Sequence, residues 1–308
     1  MIRIDQLSDL RTLQEPLHLA MGVFDGVHLG HRAVIQRVLD GAAESGGLPG
    51  VLTFEPHPVS VVAPDRAPRR LLASIDHKAR VLEQAGVRVL VVIRFDEDFA
   101  AKEPEQFIRD LEESAVDLRQ LAVGQDWMFG KGRRGNLGLL EKLGAEFEIQ
   151  VDGVPPFLYE GERISSTLIR EAIDQGQLER ASHLLGRHYS VLGTVLPGRQ
   201  LGRTIGFPTA NLSVQNEQLP PSGVYAVKAK LSGKTYRGVG NLGYRPTVEL
   251  QAGRRLLEVH LFDFSGDLYH RELEVEFGEF IRPEKKFDGL DELKAQIEVD
   301  CERARSTD

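Results

Sequence analysis

The sequence contains very little cysteine: Cys301 is the only one among 308 residues. A single cysteine cannot form a disulfide within the chain, so a reducing compartment is its simplest setting. Long apolar runs are missing too, since the longest, such as residues 89–93, have the length of a strand rather than of a membrane-spanning helix. The first 15 residues are polar and mixed in charge, unlike a signal peptide. We therefore expect a cytoplasmic protein that does not enter a membrane.

Positive charge is in short supply as well. Lys and Arg total 38 against 46 Asp and Glu, which gives a formal net charge of -8. An acidic surface repels a phosphate backbone, so nucleic acid is not expected as a partner. The remaining composition, 41% hydrophobic and 27% charged, is typical of a globular protein, and 308 residues are enough for two domains.

Strand-like and helix-like segments alternate through the first half of the chain. The expected strands are 17–23, 50–54, 87–93, 120–124 and 147–151, and the expected helices are 31–39, 75–85, 104–113 and 137–143. This order predicts an α/β domain with a doubly wound parallel sheet, in which ligands bind at the carboxyl ends of the strands. Helices over 166–185 follow.

From residue 189 onward the pattern changes to short strands. Ser232-Gly233 and Ser265-Gly266 each separate two strand-like runs, which predicts a hairpin turn at each place. Six or so such strands predict a small antiparallel, Greek-key-like β-barrel, followed by a closing helix from Asp288. We place the boundary at Gly186 and Arg187, giving domains 1–186 and 187–308.

Two glycine patterns in the second half do not carry their usual meaning. Residues 238–243 match G-x-G-x-x-G, but no helix follows them to bind a dinucleotide. Residues 233–235 read Gly-Lys-Thr, yet the earlier glycine of a phosphate-binding loop is replaced by Lys228. We reject both as nucleotide sites.

The segment between the first strand and the first helix is a candidate phosphate site. It reads Gly22-Val-Phe24-Asp25-Gly26-Val-His28-Leu-Gly30-His31. Its glycines let the backbone approach a ligand closely, a helix start favours phosphate, and an imidazole can donate a hydrogen bond to an oxygen that gains charge. Two histidines three residues apart also occur at solvated helix starts or as half of a metal site. The position at a strand-to-helix switch beside three glycines favours phosphate.

A second candidate site follows from a glycine-rich stretch of the second half. The stretch contains Gly198, Gly202, Gly206, Pro208, Thr209 and Asn211. Thr209 and Asn211 are two residues apart and offer oxygen atoms suited to Mg²⁺ and phosphate. An ordinary Gly/Pro-rich barrel loop with a turn-forming Asn is the alternative. Glu258 lies within a later strand and is either an ordinary surface residue or a functional residue.

Further motifs extend over both halves. They are Thr53-Phe-Glu55-Pro56-His57-Pro58, Val123-Gly124-Gln-Asp126-Trp127-Met-Phe129-Gly130, Ile164-Ser165-Ser166-Thr167-Leu-Ile-Arg170, Ser222-Gly223-Val-Tyr225, Asn241-Leu-Gly243-Tyr-Arg-Pro246-Thr247, Leu257-Glu258-Val-His260-Leu-Phe-Asp263-Phe264 and Ile281-Arg282-Pro283-Glu284-Lys285-Lys286-Phe287. Together they resemble bifunctional bacterial riboflavin kinase/FAD synthetase over essentially the whole chain, and the His-x-Gly-His pattern resembles nucleotidyltransferases in general. The chain departs from the family pattern at Glu55, Trp127 and His270.

The resemblance implies two reactions. The C-terminal domain would convert riboflavin and ATP into FMN, and the N-terminal domain would convert FMN and ATP into FAD and pyrophosphate, both with Mg²⁺. A flavin-binding regulatory protein with decayed catalysis, or an enzyme active in only one half, are the alternatives. The sequence leaves open a weak homo-oligomer.

The resemblance also implies roles for individual residues. In the N-terminal domain, the residues expected at ATP and phosphate are Gly22, Phe24, Asp25, Gly26, His28, Gly30, His31, Asp126, Ser166, Thr167 and Arg170, and those expected at flavin are His57, Pro58 and Phe129. In the C-terminal domain, the residues expected at ATP are Gly198, Gly202, Gly206, Pro208, Thr209 and Asn211, and those expected at the metal are Thr209 and Asn211. The residues expected at the flavin are Glu258, Arg282, Glu284 and Phe287. Glu258, His28 and His31 are the expected catalytic residues. Glu258 would act as the base because an alcohol is a poor nucleophile at neutral pH. A flavin phosphate, already anionic, needs no base.

Overall fold

The computed structural model describes residues 1–198, 202, 205–214, 217–244 and 255–307. These residues divide into two units: Met1–Leu71 with Ile75–Ser166 form the first, and Leu72–Ser74 with Thr167–Asp308 form the second. The second unit therefore takes three residues from the first half of the chain, and its main segment begins earlier than the expected domain boundary at residue 186. That functional boundary stays a prediction.

A six-stranded parallel sheet forms the centre of the first unit. Its strands are β1 (Ile2–Ile4), β2 (Leu17–Met21), β3 (Leu48–Glu55), β4 (Val89–Arg94), β5 (Leu118–Gly124) and β6 (Gln150–Val154). They lie in the order β1-β4-β3-β2-β5-β6, with every neighbouring pair parallel. A separate two-stranded sheet joins β7 (Leu158–Tyr159) and β8 (Glu162–Arg163).

Helices connect these strands. They are α1 (Leu29–Ser45), α2 (Pro58–Val62), α3 (Ile75–Gln84), α4 (Glu97–Ala100), α5 (Pro104–Ser114) and α6 (Leu137–Glu146), with 3-10 turns at Leu7–Thr12, Pro64–Arg66 and Lys131–Arg133. Alternate residues of one strand enter two different apolar clusters: Leu19 and Met21 join one, and Ala20 joins the other. Both faces of the sheet are therefore covered, as a doubly wound fold requires.

Strands β6 and β1 are among the elements of the first unit that differ from the sequence-based expectation. Strand β6 begins at Gln150, three residues after the expected start, because Phe147 still closes helix α6 as its C-cap. The edge strand β1 was not expected, since three residues are too few for a visible alternation pattern.

The second unit is built on a closed antiparallel barrel. Its strands are β9 (Ser190–Leu196), β10 (Ala210–Val214), β11 (Gly223–Leu231), β12 (Lys234–Tyr244), β13 (Arg255–Leu261) and β14 (Glu272–Arg282), in the order β10-β13-β12-β11-β14-β9. The helices are α7 (Ser166–Asp174), whose first residue belongs to the first unit, α8 (Leu178–Leu185) and α9 (Leu290–Ser306). The expected barrel with a C-terminal helix is confirmed.

The two expected hairpins have different outcomes. Ser232-Gly233 joins β11 to its partner β12, and both turn residues have positive φ, 47° and 79°. The hairpin expected at Ser265-Gly266 is wrong, because β13 pairs with β10 and β12 whereas β14 pairs with β11 and β9. The segment is a crossover between strands that are not neighbours, which gives the barrel its Greek-key-like order.

Charged and apolar residues alternate over residues 272–277 of strand β14, a pattern that predicts burial of the apolar residues alone. Leu273, Val275 and Phe277 are buried, but Glu274 is only 4% exposed as well. Its carboxylate accepts a hydrogen bond from the Ser190 hydroxyl at 3.0 Å and pairs with the Lys230 ammonium at 3.4 Å. These partners explain how a charged side chain is buried there. Throughout the described part of the chain, we find no helix long and apolar enough to cross a membrane.

Candidate active sites

The expected phosphate loop lies at the carboxyl end of strand β2. Helix α1 begins at Leu29, with His28 as its N-cap. The Nδ1 atom of His28 accepts a hydrogen bond from the backbone N–H of His31 at 3.2 Å, and the two imidazole rings stack with their centroids 3.5 Å apart. An added β-carbon at Gly30 would come within 3.2 Å of the His28 ring, so glycine makes room for this stack. The two histidines thus form one compact group at the start of a helix, where anions are favoured.

The turn that leads to this group has an unusual backbone. Phe24 and Val27 adopt φ angles of 49° and 45°, and Gly26 between them has 83°. A left-handed conformation costs about 1–3 kcal/mol for a residue with a side chain and persists only where the surroundings impose it. Here Phe24 and Val27 are fully buried, so core packing helps to impose the turn.

Electrostatics keep His31 neutral. Burial of its ring lowers the pKa of His31 well below its usual range, and the neighbouring His28 and Lys78 lower it further. Its Nδ1 atom is enclosed and has no hydrogen-bond partner among the described residues. A neutral imidazole with an unused nitrogen can still hydrogen-bond to a ligand.

Lys78 is a residue of this site that sequence reasoning missed. It lies on α3 and is only 4% exposed. Its Nζ donates to the carbonyl oxygen of Val23 at 2.7 Å and to the hydroxyl of Thr53 at 3.2 Å. Burial lowers the pKa of Lys78, and the carboxylates of Asp25 and Glu55 oppose this effect. In the sequence, a lysine on an amphipathic helix is indistinguishable from a solvent-facing one.

The start of helix α7 contributes a further contact. The hydroxyl of Ser166 donates to the carbonyl oxygen of Asp25 at 2.9 Å, which ties the expected Ser-Ser-Thr motif to the loop. Thr167 and Arg170 follow on the same helix, within the second unit. Asp126, another expected nucleotide residue, is exposed and pairs with Arg163 at 2.6 Å.

The expected flavin residues of the first unit occupy two places. His57 caps α2, accepting a hydrogen bond from the N–H of Val59 on its Nδ1 at 3.2 Å, and Pro58 is the first residue of that helix. Phe129 is buried, with its ring stacked on Trp127 at 4.6 Å between centroids. The departure at Trp127 therefore supplies a stacking partner for Phe129. The Glu55-Pro56 peptide bond before His57 is cis.

A cavity of about 600 Å³ lies between the barrel and helix α9. Asn211 on β10, Glu258 on β13 and Asn241 on β12 are direct register partners on three adjacent strands, and all three line this cavity. Asn241 was not expected as a site residue. The only signal in the sequence is that Asn241 falls on the alternate positions of its strand that face the barrel interior. The preceding glycines obscure this alternation. Two amide groups therefore flank the carboxylate of Glu258.

Most of the expected C-terminal site residues meet in this cavity. The lining includes Gly198, Gly202, Thr209, Asn211, Glu258, Arg282, Glu284 and Phe287. Gly206 and Pro208 do not line it, although the Pro208 carbonyl lies 2.8 Å from Nδ1 of His260, which does. Since a carbonyl only accepts, that histidine nitrogen carries the proton. Arg245, Pro246 and Thr247 of the family motif lie outside the described residues.

One wall of the cavity carries a buried ion pair that was not expected. Arg282 binds both carboxylate oxygens of Asp300 on α9, with Nε–Oδ1 at 2.9 Å and Nη2–Oδ2 at 2.8 Å. The Arg282 guanidinium also lies 5.6 Å from the centre of the Phe287 ring. Glu284 fits beside Gly243, where any β-carbon would overlap its carboxylate.

The departure at His270 affects a turn outside the cavity lining. His270 adopts a φ of 62°, a conformation that glycine takes more readily, and its N–H donates to the Val195 carbonyl at 2.8 Å. Within the described ranges, no group of three or more His, Cys, Asp or Glu side chains is placed to hold a metal ion.

Comparison with protein families divides the chain into two matches. Residues 10–168 match the model of FAD synthetase, and residues 185–307 match the model of riboflavin kinase. The first match covers the phosphate loop and the Ser166 contact, and the second covers the barrel, its cavity and α9.

Known proteins match over nearly the full length. The chain is 43% identical to a bifunctional riboflavin kinase/FMN adenylyltransferase of Haemophilus influenzae, covering 94% of this chain and 93% of the relative. It is 40% identical to the protein of the same name from Bacillus subtilis, covering 93% and 90%. Among solved structures, one described as a macrolide-efflux protein from Streptococcus pneumoniae superposes with a TM-score of 0.82 at 30% identity, covering 100% of this chain and 99% of that one.

Proposed function

Because this chain belongs to the family of bifunctional riboflavin kinases/FMN adenylyltransferases, we propose that it converts riboflavin into FAD in two ATP-dependent steps. The barrel phosphorylates riboflavin to FMN, and the parallel-sheet domain adenylylates FMN. We assign the first reaction to residues 187–308 and the second to residues 1–186, and place both in the cytoplasm.

The observation that carries the kinase assignment is the position of Glu258. Its carboxylate lines a cavity of about 600 Å³, which suits a ligand the size of a flavin, and lies between Asn211 and Asn241 on the neighbouring strands. In the reaction, Glu258 accepts the proton of the ribityl hydroxyl as that oxygen forms a bond to the γ-phosphorus of ATP and the bond to ADP breaks.

The ATP of the kinase reaction would lie at the glycine-rich side of the cavity. Gly198, Gly202 and Thr209 line that side together with Asn211. The neutral oxygens of Thr209 and Asn211 fit Mg²⁺, which keeps several waters and binds mainly through substrate phosphates. When bound, Mg²⁺ would neutralise charge on those phosphates. Arg282, Glu284 and Phe287, which also line the cavity, would contact the flavin.

Adenylyl transfer needs positioning rather than a base. The FMN phosphate oxygen attacks the α-phosphorus of ATP, and the bond to pyrophosphate breaks. His28, His31 and the amides at the start of α1 would hold the ATP phosphates, with Arg170 neutralising the pyrophosphate. The flavin would meet His57, Pro58 and Phe129.

A single assay tests both steps. The protein is incubated with riboflavin, ATP and Mg²⁺, and the flavins are separated by chromatography. We expect FMN to appear first and FAD after it. Formation of FMN alone would indicate that only the kinase is active. The absence of both FMN and FAD would favour a regulatory flavin-binding protein. Neither reaction requires nucleic acid or a membrane, and a weak homo-oligomer remains a prediction that sedimentation at several concentrations would test.

A further inference from the structure

The buried lysine of the first unit has no role in the mechanism above. Lys78 lies on α3 (Ile75–Gln84), 4% exposed, where burial of an ammonium group is costly. A lysine retained at such a position calls for an explanation in what it contacts.

Its contacts converge on one backbone carbonyl of the phosphate loop. The Val23 carbonyl accepts a hydrogen bond from the Lys78 ammonium at 2.7 Å and another from the Thr53 hydroxyl at 2.9 Å, and that hydroxyl also contacts the ammonium at 3.2 Å. Val23 is followed by Phe24, the first residue with left-handed φ in the turn. The N–H of Gly22, one residue earlier, donates to the Leu52 carbonyl at 3.1 Å. The entry to the turn is therefore fixed by α3 and β3.

We propose that Lys78 is a positioning residue for adenylyl transfer: its ammonium group holds the Val23 carbonyl, and thereby the turn that places His28 and His31 at the phosphates of ATP. The inference rests on the proposed function of the first unit. The strained turn needs a fixed anchor because each left-handed side-chain residue favours relaxation to another conformation. A charge-assisted hydrogen bond to a buried carbonyl is a strong anchor of this kind.

The charge of Lys78 has a second consequence at the histidine pair. Lys78 lowers the pKa of His31, together with burial of the ring and the adjacent His28. The groups facing Lys78 itself are the carboxylates of Asp25 and Glu55, which favour its charged form against burial. Lys78 thus adds to the effects of burial and of His28, which together favour the neutral form of His31 and leave its unused nitrogen available to a ligand.

The coupling between proton binding by Lys78 and folding separates a functional role of this residue from a purely structural one. The pKa of Lys78 is lowered in the folded protein, so the unfolded chain binds the proton more tightly than the folded chain does. At neutral pH the burial of this ammonium therefore opposes folding. A group that opposes folding is expected where function needs it.

Lys78→Met is the direct test. FAD formation is measured from supplied FMN and ATP, and riboflavin phosphorylation is measured on the same sample. We expect kcat/KM for ATP in FAD formation to fall about 100-fold, as when a preorganised group of an active site is lost. Riboflavin phosphorylation and the unfolding temperature should stay near wild type. Lys78→Arg, which keeps the charge, should recover part of the loss, and Lys142→Met, an exposed lysine of α6 (Leu137–Glu146), is the control for charge.

The pH profile distinguishes charge from shape. Loss of the Lys78 charge should raise the pKa of His31, so the acid limb of FAD formation in Lys78→Met should move to higher pH. Thr53→Val removes the hydroxyl but keeps the charge, and we expect it to slow FAD formation without moving the acid limb. A histidine-selective NMR titration of His31 should show the same shift in Lys78→Met only.

Several outcomes would overturn the proposal. They are FAD formation by Lys78→Met within about threefold of wild type, a large loss with an unmoved acid limb, and unfolding of the variant at temperatures where wild type is folded. Wild-type protein that forms no FAD would instead refute the proposed function of the first unit, so the two failures are distinguishable.

Discussion

The ion pair between Arg282 and Asp300 should control riboflavin phosphorylation from a position outside the reacting atoms. The Asp300 side chain is 3% exposed and that of Arg282 is 20% exposed. The carboxylate accepts from Arg282 at 2.8, 2.9 and 3.1 Å and from the Gln296 amide at 3.0 Å. We predict that Asp300→Asn destabilises the barrel and weakens riboflavin use, because Arg282 loses the partner that aims it at the cavity.

The size of the effect follows from the burial of the pair. Removing one partner of a buried pair costs about 3–5 kcal/mol, because the other charge is left without compensation. The asparagine side chain of this variant would retain a single acceptor oxygen for Arg282, so we expect the lower end of that range. Loss of a charge-assisted contact between Arg282 and the flavin, about 1.5 kcal/mol, would raise the KM for riboflavin roughly tenfold.

The assay must report on the barrel alone. The only tryptophan, Trp127, belongs to the first unit, so its fluorescence does not follow the unfolding of the barrel. We would measure thermal inactivation of riboflavin phosphorylation, together with riboflavin KM and FAD formation from FMN. Asp300→Asn should lower the inactivation temperature and raise riboflavin KM while FAD formation is preserved.

Glu279→Gln is the matched control. It removes the ion pair between Glu279 and Arg303, whose charged atoms are 2.6 Å apart and whose side chains are both about half exposed. Arg303 lies on helix α9, as Asp300 does. Solvent weakens such a pair, so riboflavin KM should not change. An Asp300→Asn protein with wild-type inactivation temperature and riboflavin KM would refute the importance of the buried pair.

Other predictions concern the two sites and the core. Glu258→Gln should abolish FMN formation but spare FAD formation from supplied FMN, and equal loss of both would refute its role as the base. A protein with His28→Ala and His31→Ala should accumulate FMN without FAD, and normal FAD output would remove both histidines from the mechanism. Glu217→Gln should lower the free energy of unfolding by about 1–3 kcal/mol in denaturant titrations, because this fully buried carboxylate accepts two backbone N–H groups at 2.8 and 2.9 Å and an amide would turn a donor towards one of them. Since the folded pKa of His31 lies below 6.5, its contribution to stability is intact above pH 6.5 and is lost as the pH falls towards the folded pKa, and His31→Gln should show a shallower loss in acid.

The periodic part of the fold could be predicted from the sequence because burial repeats along an element. Helix α1 was expected over 31–39 and occupies Leu29–Ser45, with Val34, Ile35 and Val38 on its buried face. The continuous apolar character of residues 87–93 reflects a strand covered on both sides. The loop proposed to bind phosphate could be located for a related reason, since it lies where such a strand changes into such a helix.

Pairing between distant strands could not be predicted in the same way. Ser265-Gly266 has the composition of a hairpin turn, yet the strands on either side of it bind different neighbours. Turn residues state only that the chain reverses or bends locally. Which edges meet depends on closing the barrel, and closure is decided by all six strands together.

Buried charged residues were the other feature that could not be predicted from the sequence, and the physical reason is the same for all of them. Lys78, Glu274 and Asp300 each occupy a position where a charged residue on an amphipathic element predicts solvent exposure. A charge can be buried only if a partner from elsewhere in the chain satisfies it, as Val23, Ser190 and Arg282 do here. That partner is invisible to any local pattern. Two of these three residues contact an expected site directly, Lys78 through the phosphate loop and Asp300 through Arg282. Variants of the buried charged residues that local patterns assign to solvent should therefore reveal which contacts hold each site in place.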